Sequence, residues 1–124
     1  MKSKILFYAK AQYNTEPEYL WKHYPDYFIL RHRRNRKWYA VVMAVPREKL
    51  ELVGKGDVWI IDVKATRDNI ESIGDSAGFL PGYHMNKRYW MSILLDGTVP
   101  LKIVKKFLDE SYELTRDKQI RGGK

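Results

Sequence analysis

The chain has 124 residues, a usual length for one domain and too short for two stable cores. Apolar residues make up 44% and charged residues 31%, so the chain can bury a core and is not composed like a disordered segment. The absence of cysteine excludes disulfides, thiolate metal sites and cysteine nucleophiles. Lys and Arg total 23 against 15 Asp and Glu, and the net charge of +8 favours polyanionic partners.

No apolar run approaches the roughly 20 residues that a membrane span needs. Lys4, Lys10 and Gln12 interrupt the apolar stretch at the start of the chain, which excludes the core of a signal peptide. We therefore expect a cytoplasmic protein that does not bind membranes. The sequence leaves the oligomeric state open, and a monomer is the simpler expectation.

The first quarter of the chain predicts a helix followed by an extended segment. Apolar residues at helical spacing indicate a helix from Ser3 to about Gln12, with Ser3 as its N-cap. Asn14 suits the C-terminal end of that helix. We expect residues 18–25 to cross the core as an extended strap whose aromatic side chains are partly buried: Tyr19, Trp21 and Tyr24.

Two segments rich in aromatic and β-branched residues, Tyr27 to Arg31 and Trp38 to Val45, predict a β-hairpin. Its tip, residues 31–37, contains five Arg or Lys, one His, one Asn and no acid. After a polar connection, residues 57–65 predict a third strand. Its apolar residues partly alternate, so we expect one of its faces to be core.

The second half of the chain predicts two more helices and one more strand. Thr66 suits the N-cap of a short helix that ends near Gly74. Residues 79–88 indicate a loop in which Pro81 and Gly82 take the central positions of a type II turn. A strand follows over residues 89–95.

The last helix is predicted from about Pro100 to Thr115, with an apolar face that covers half its circumference. Residues 117–124 lack apolar periodicity and are expected to form a basic, flexible tail. The order of elements predicts one α+β domain over residues 1–116, with a mainly antiparallel sheet and the helices packed on one of its faces.

The sequence contains no recognisable catalytic or cofactor motif. His23, His32 and His84 lack the spacing of metal ligands, and no glycine-rich loop suits the phosphates of a nucleotide cofactor. Asp26 and Asp62 are the carboxylates that would matter for acid–base chemistry if the fold brought them together. We therefore expect no metal, no cofactor and no enzymatic activity.

The basic tip is the most informative feature of the sequence. The guanidinium group of arginine suits phosphate oxygens, and Asn35 suits an adenine edge. A second, acid-free stretch over residues 76–95 carries basic residues beside aromatic rings that can stack on unpaired bases. The nucleic-acid contacts predicted on this basis are Arg31, Arg33, Arg34, Asn35, Arg36, Lys37, Asn86, Lys87 and Arg88.

The alternative for these segments is structural. A hairpin tip faces water and is polar in any case, and like charges at a sheet edge oppose aggregation. Tyr89 and Trp90 then belong to the core rather than to a binding surface.

Several blocks of the chain, taken in order, resemble one known family. The blocks are Tyr13 to Trp21, Asn35 to Ala40, Pro81 to Trp90, Leu95 to Gly97 and Ser111 to Leu114. They are similar to the MmcQ/YjbR family over roughly residues 13–115. The resemblance implies a compact α+β domain with a CyaY-like, frataxin-like sheet and a double-wing DNA-binding arrangement, in which the wings are hairpin tips. It implies no catalytic residues.

This sequence departs from the family pattern in two places. Arg67 stands where a proline is usual, and Tyr89 stands where a histidine is common before the tryptophan. The second departure argues against a ligand or proton donor at that position. An iron role of the frataxin kind is disfavoured because the opening helix is basic, whereas iron delivery needs clustered carboxylates.

These observations lead to a DNA-binding protein of low sequence specificity as the first hypothesis. The second is a protein-interaction or small-ligand module whose concave site contains Tyr83, His84 and Asn86, bounded by Trp21 and Trp90. A third, a hydrolase or transferase, would need a buried carboxylate or histidine with a shifted pKa in that cleft.

Overall fold

The computed structural model describes residues 1–117. The tail predicted over residues 117–124 therefore lies, except for Asp117, outside the described residues. No helix in the described part of the chain is long and apolar enough to cross a membrane. In chain order the elements are α1 (Lys2–Tyr13), β1 (Phe28–Arg31), β2 (Trp38–Pro46), a 3₁₀ turn (Arg47–Leu50), β3 (Asp57–Lys64), α2 (Arg67–Ile73), β4 (Phe79–Pro81), β5 (Trp90–Leu94) and α3 (Leu101–Thr115).

The strands form one five-stranded sheet in the order β1-β2-β3-β5-β4, and every neighbouring pair is antiparallel. The predicted α+β class with an antiparallel sheet is confirmed. Thr66 caps α2 as predicted, because its side chain accepts a hydrogen bond from the backbone N–H of Asn69.

Helices α1 and α3 cover one face of the sheet. Ile5 and Ala9 of α1 and Phe107 and Leu108 of α3 are buried in the same cluster as Ile61 of β3. This arrangement confirms the prediction that the helices pack on one face.

The predicted core face of β3 is present, and the opposite face of the sheet is also buried. Val58 and Ile60 of β3 are 4% and 0% exposed, and they belong to a second buried cluster, separate from the one that contains α1 and α3. Partly buried side chains of the strap and of the loop after β4 cover them, including Trp21, Tyr27 and Tyr83. The sequence of β3 carries apolar residues at both odd and even positions, which fits burial on two faces.

The strap begins at the edge of the sheet, where Glu18 forms an isolated antiparallel bridge with Ile29 of β1. Trp21 then packs onto the face opposite the helices. Tyr19 and Tyr24 are both 53% exposed, so the strap is less buried than the sequence suggested. Its rings rest on the sheet margin with much of their surface in water.

A bulge in the first hairpin decides which side chains face the helices. Leu30 pairs with Ala40 but Arg31 pairs with Trp38, so Tyr39 is the additional residue. As a result Tyr39 and Ala40 both enter the core beneath the helices, while Trp38 packs on the opposite face. The bulge therefore places the indole ring of Trp38, at the base of the basic tip, on the face of the sheet away from the helices.

Two local predictions need correction at the start of the chain and after α2. Helix α1 begins at Lys2 with Met1 as N-cap and no side-chain cap, so Ser3 lies inside the helix. Pro81 ends the short edge strand β4, where the sequence predicted a loop. Gly82 does not have the positive φ of a type II turn, and its N–H donates to the Trp90 carbonyl at 3.2 Å. Glycine is required there because a Cβ atom would lie 2.8 Å from that carbonyl oxygen.

The hydroxyl of Ser111 joins α3 to two adjacent strands, β2 and β3. Ser111 Oγ accepts from the Lys64 N–H at 2.9 Å and donates to the Tyr39 carbonyl at 2.6 Å. Ser111 is fully buried. The helix is thereby fixed to β3 and to the bulged part of β2 at one point.

Replacing Ser111 with Ala should lower the free energy of unfolding by about 1–3 kcal/mol, because both backbone groups lose their partner at a buried site. Urea denaturation of the two proteins measures the difference. Ser72→Ala, at an exposed position of α2, is the matched control and should change stability by less than about 0.5 kcal/mol. Equal denaturation midpoints for Ser111→Ala and the wild type would contradict the role assigned to this hydroxyl.

Candidate nucleic-acid interface and aromatic cleft

The basic tip (residues 31–37) and the loop between β4 and β5 (residues 82–89, the second loop) leave the sheet at the same end. The start of β2 lies beside the end of β3, and Lys64 at that end pairs with Trp90 at the start of β5. The end of β4 lies beside the start of β5. The midpoints of the two hairpins are three strand spacings apart, roughly 14 Å.

Arg31, at the base of the basic tip, forms an ion pair with Glu18 of the strap. Its Nε and Nη2 donate to the two carboxylate oxygens at 2.8 and 2.6 Å. The guanidinium lowers the pKa of Glu18 through these hydrogen bonds. Arg36 Nη2 lies 3.9 Å from the same carboxylate. Glu18 thus screens two of the predicted phosphate contacts, and sequence reasoning missed it because it is 13 residues from Arg31.

The basic tip is docked on the C-terminal turn of α3. His32 is buried, and its Nε2 lies 2.8 Å from Thr115 Oγ1. Burial lowers the pKa of His32 below its usual value. Asn35 Nδ2 donates to the Thr115 carbonyl at 2.8 Å, and Asn35 Oδ1 accepts from the Lys37 N–H at 2.9 Å. The amide group of Asn35 is therefore engaged within the protein at both ends.

The remaining cations of the basic tip face water. Arg33, Arg34 and Lys37 are exposed. Within residues 1–117, no carboxylate lies within 4.0 Å of their charged groups. The docking of His32 and Asn35 on α3 thus positions the loop that carries these three residues without neutralising them.

The second loop is stabilised by its own side chains. His84 has a left-handed φ of 61°. Asn86 Oδ1 accepts from the Arg88 N–H at 2.9 Å, and Lys87 Nζ donates to the Gly82 carbonyl at 3.1 Å. Lys87 and Arg88 have no ion-pair partner in the described part of the chain. The loop therefore adds two cations to this end of the sheet, while the Asn86 side chain closes the turn.

A cleft of about 520 Å³ lies between the strap and the second loop, on the face opposite the helices. Its floor is β2, and its polar lining includes Lys49 and His84. No carboxylate of the described residues lines it. We call it the aromatic cleft because five aromatic side chains line it: Trp21, Tyr24, Tyr27, Trp38 and Tyr83.

The rings on the strap side of the aromatic cleft hold one another in place. Tyr24 stacks on Tyr27 with centroids 4.7 Å apart and an interplanar angle of 11°. Trp21 meets Trp38 edge-on at 6.3 Å and Tyr27 at 6.1 Å. The Tyr27 hydroxyl donates to the Ala44 carbonyl at 2.5 Å, which fixes this ring to β2.

The structure brings together only part of the predicted alternative site. Trp21, Tyr83 and His84 line the aromatic cleft, whereas Asn86 and Trp90 do not. Sequence reasoning missed Tyr24, Tyr27, Trp38 and Lys49 as lining residues. The high density of aromatic residues over residues 19–27 and at the start of β2 is a signal for the three rings, whereas no such signal marks Lys49.

The model of the YjbR family matches residues 10–114, which is most of the chain. The chain belongs to the YjbR family. The resemblance read from the sequence is therefore confirmed. This chain is also 38% identical over 112 residues to the uncharacterized protein YyaQ of Bacillus subtilis strain 168, a match that covers 90% of this chain and 95% of that protein.

Solved structures share the fold of this YjbR-family chain. A crystal structure of a Pseudomonas syringae protein matches with a TM-score of 0.90 and 36% identity, covering 94% of this chain and 99% of the other. A solution NMR structure from the same organism matches with a TM-score of 0.86 and 35% identity, covering 98% and 97%. A Deinococcus radiodurans protein, 17% identical, matches with a TM-score of 0.72 over 99% of this chain and 83% of its own and shares the fold alone.

A buried carboxyl group lies beneath the second loop of this YjbR-family chain. Asp62 of β3 is 0% exposed, and its Oδ1 accepts from the Ser92 hydroxyl, which in turn accepts from the Tyr83 N–H at 2.9 Å. Its Oδ2 has no hydrogen-bond partner within residues 1–117. Burial raises the pKa of Asp62 to about 7, although the Ser92 and Tyr83 hydrogen bonds and the charge of Lys87 oppose the shift.

Asp62 has the shifted pKa that the third hypothesis requires, but it does not line the aromatic cleft. Asp26, the other carboxylate singled out in the sequence, is exposed immediately after the strap. Within residues 1–117, no group of three or more His, Asp or Glu side chains is placed to hold a metal ion. The geometry thus gives no support to acid–base or metal chemistry in the cleft.

Asp62→Asn should remove a pH-dependent part of the stability. The folded protein keeps the Asp62 proton up to a pH of about 7, whereas the unfolded chain loses it near 3.8, so the contribution of Asp62 to stability falls as the pH rises between these values. Urea denaturation at pH 5 and pH 8 measures the difference in stability between the wild type and Asp62→Asn. We expect the wild type to lose at least about 1.4 kcal/mol relative to the variant between these pH values.

Groups common to both proteins, such as His32, cancel in this difference. Asp26→Asn is the matched control, since it makes the same change of side chain at an exposed position. A difference in stability between the wild type and Asp62→Asn that stays constant with pH would contradict the raised pKa of Asp62.

Proposed function

We propose that this YjbR-family chain binds DNA with low sequence specificity at the sheet end where the basic tip and the second loop emerge. The observation that carries the proposal is the common position of these two loops. Five side chains there have no acidic partner in the described part of the chain: Arg33, Arg34, Lys37, Lys87 and Arg88. In this proposal one domain, residues 1–116, acts in the cytoplasm without a metal or cofactor.

The spacing of the two loops suits a polynucleotide. Each strand of DNA carries a phosphate about every 3.4 Å along the helix axis, so the roughly 14 Å between the loops corresponds to about four phosphates. One strand can therefore contact both loops. Phosphate contacts of this kind fix the position of the DNA and account for most of non-specific affinity.

The low specificity follows from the hydrogen bonds that Asn35 and Asn86 form within the protein. An adenine edge is read by an amide group whose oxygen and nitrogen are both free to pair with it. Asn35 and Asn86, the two asparagines among the predicted nucleic-acid contacts, use their amide oxygens for hydrogen bonds to the backbone of Lys37 and Arg88. The contacts that remain are those of cations with phosphates, which every sequence presents.

The test reverses two charges at the proposed interface. Arg33→Glu/Arg34→Glu should weaken binding to a mixed-sequence 20-base-pair duplex at least about tenfold in low salt, because two phosphate contacts become repulsive. Fluorescence anisotropy of a labelled duplex measures the dissociation constants.

The matched control is Lys102→Glu/Lys106→Glu on exposed positions of α3. Each double variant replaces two positive by two negative charges and so lowers the net charge from +8 to +4. Lys102 lies 13 residues before Thr115, about 20 Å along the helix from the turn that docks the basic tip. The control should weaken binding less than about threefold. Equal effects of the two variants, or no binding by the wild type in low salt, would refute the proposed interface.

A further inference from the structure

We propose that the aromatic cleft takes up one unpaired base of single-stranded DNA whose phosphates lie on the basic tip. The inference rests on the proposed function and adds a preference for single strands. It concerns a surface that the phosphate contacts do not use, on the sheet face opposite the helices.

The lining of the aromatic cleft selects a neutral planar ring over a cation. Aromatic cages bind ammonium groups when the site has no competing positive charge. Here no carboxylate of the described residues lines the cleft, Lys49 does, and the chain carries a net charge of +8. A cationic ligand would be repelled. A nucleobase is flat and uncharged, and the phosphates attached to it are attracted by the same cations.

The cleft offers a free surface for stacking. Tyr24 has one ring face on Tyr27, yet the residue remains 53% exposed, so its other face is open. Trp21 and Trp38 meet edge-on and give the cleft rigid walls at the side of the strap. The volume of about 520 Å³ falls within the range of roughly 300–1,000 Å³ that is usual for ligand sites.

The aromatic cleft begins at the base of the basic tip. Lys37 is the last residue of the basic tip and Trp38, which lines the cleft, follows it, so their Cα atoms are about 3.8 Å apart. A strand with a phosphate on Lys37 can therefore place a neighbouring base at the mouth of the cleft. A base of a duplex has to leave its stack to enter, which favours single strands.

The experiment compares two tyrosines of the strap. Tyr19 and Tyr24 are both 53% exposed, but only Tyr24 lines the aromatic cleft. The probes are a labelled 12-mer of thymidine, a 12-base-pair duplex of mixed sequence and thymidine monophosphate. Anisotropy gives the affinity for the two labelled probes, and competition gives that of the monophosphate.

Tyr24→Ala should weaken binding of the 12-mer about fivefold or more, because stacking on one ring is lost, and should leave the duplex within twofold. Tyr19→Ala should leave both within twofold. Tyr24→Phe should bind like the wild type, since stacking needs the ring and not the hydroxyl, whereas Tyr24→Leu, which retains apolar bulk, should bind like Tyr24→Ala. Urea denaturation midpoints of the four variants verify that each one is folded.

The results distinguish the inference from the function on which it rests. If Arg33→Glu/Arg34→Glu weakens binding of the 12-mer but Tyr24→Ala and Tyr24→Leu do not, the cleft inference is wrong and the phosphate interface stands. If thymidine monophosphate binds as tightly as the 12-mer, the occupant is a free nucleotide and the inference is also wrong. If the wild type binds neither labelled probe in low salt, both proposals fail.

Discussion

The contacts of Thr115 with the basic tip are the constraint on which the candidate interface depends. Thr115 Oγ1 lies 2.8 Å from the buried His32 ring and donates to the Ser111 carbonyl at 2.7 Å, while the Thr115 carbonyl accepts from Asn35. Ser111, one turn earlier, is itself fixed to β2 and β3. A loop of mutually repelling cations is thus anchored to the sheet through one helix, which fixes its position without neutralising Arg33, Arg34 or Lys37.

The face of the sheet opposite the helices carries both a buried cluster and the aromatic cleft. Helices pack on one face, whereas the strap, the 3₁₀ turn and the second loop pack on the other and leave the aromatic cleft between them. The bulge at Tyr39 allows Trp38 to face the cleft while Tyr39 enters the core. A local change of register therefore links the basic tip to an aromatic surface.

Local patterns predicted most of the fold, because caps, periodicity and turn residues act over a few positions. Thr66 as a helix cap and the first hairpin are examples. The three-residue strand β4 was missed, since Phe79-Leu80-Pro81 is too short for a period and ends in proline. The positions of the cations were predictable as well. The contacts that dock the basic tip on α3 were not predictable. Asn35 and Thr115 are 80 residues apart, and only the folded chain brings them together.

The salt dependence of DNA binding tests the central claim most directly. The five cations at one end of the sheet predict about five neutralised phosphates, so log Kobs for a mixed-sequence duplex should fall with log salt concentration at a slope of about −4 to −5. Binding is titrated by calorimetry or fluorescence anisotropy at salt concentrations between about 50 and 200 mM. Over this range such a slope changes the affinity by several hundred-fold. A slope near zero, or no binding at the lowest salt, would contradict the assignment of this surface to DNA.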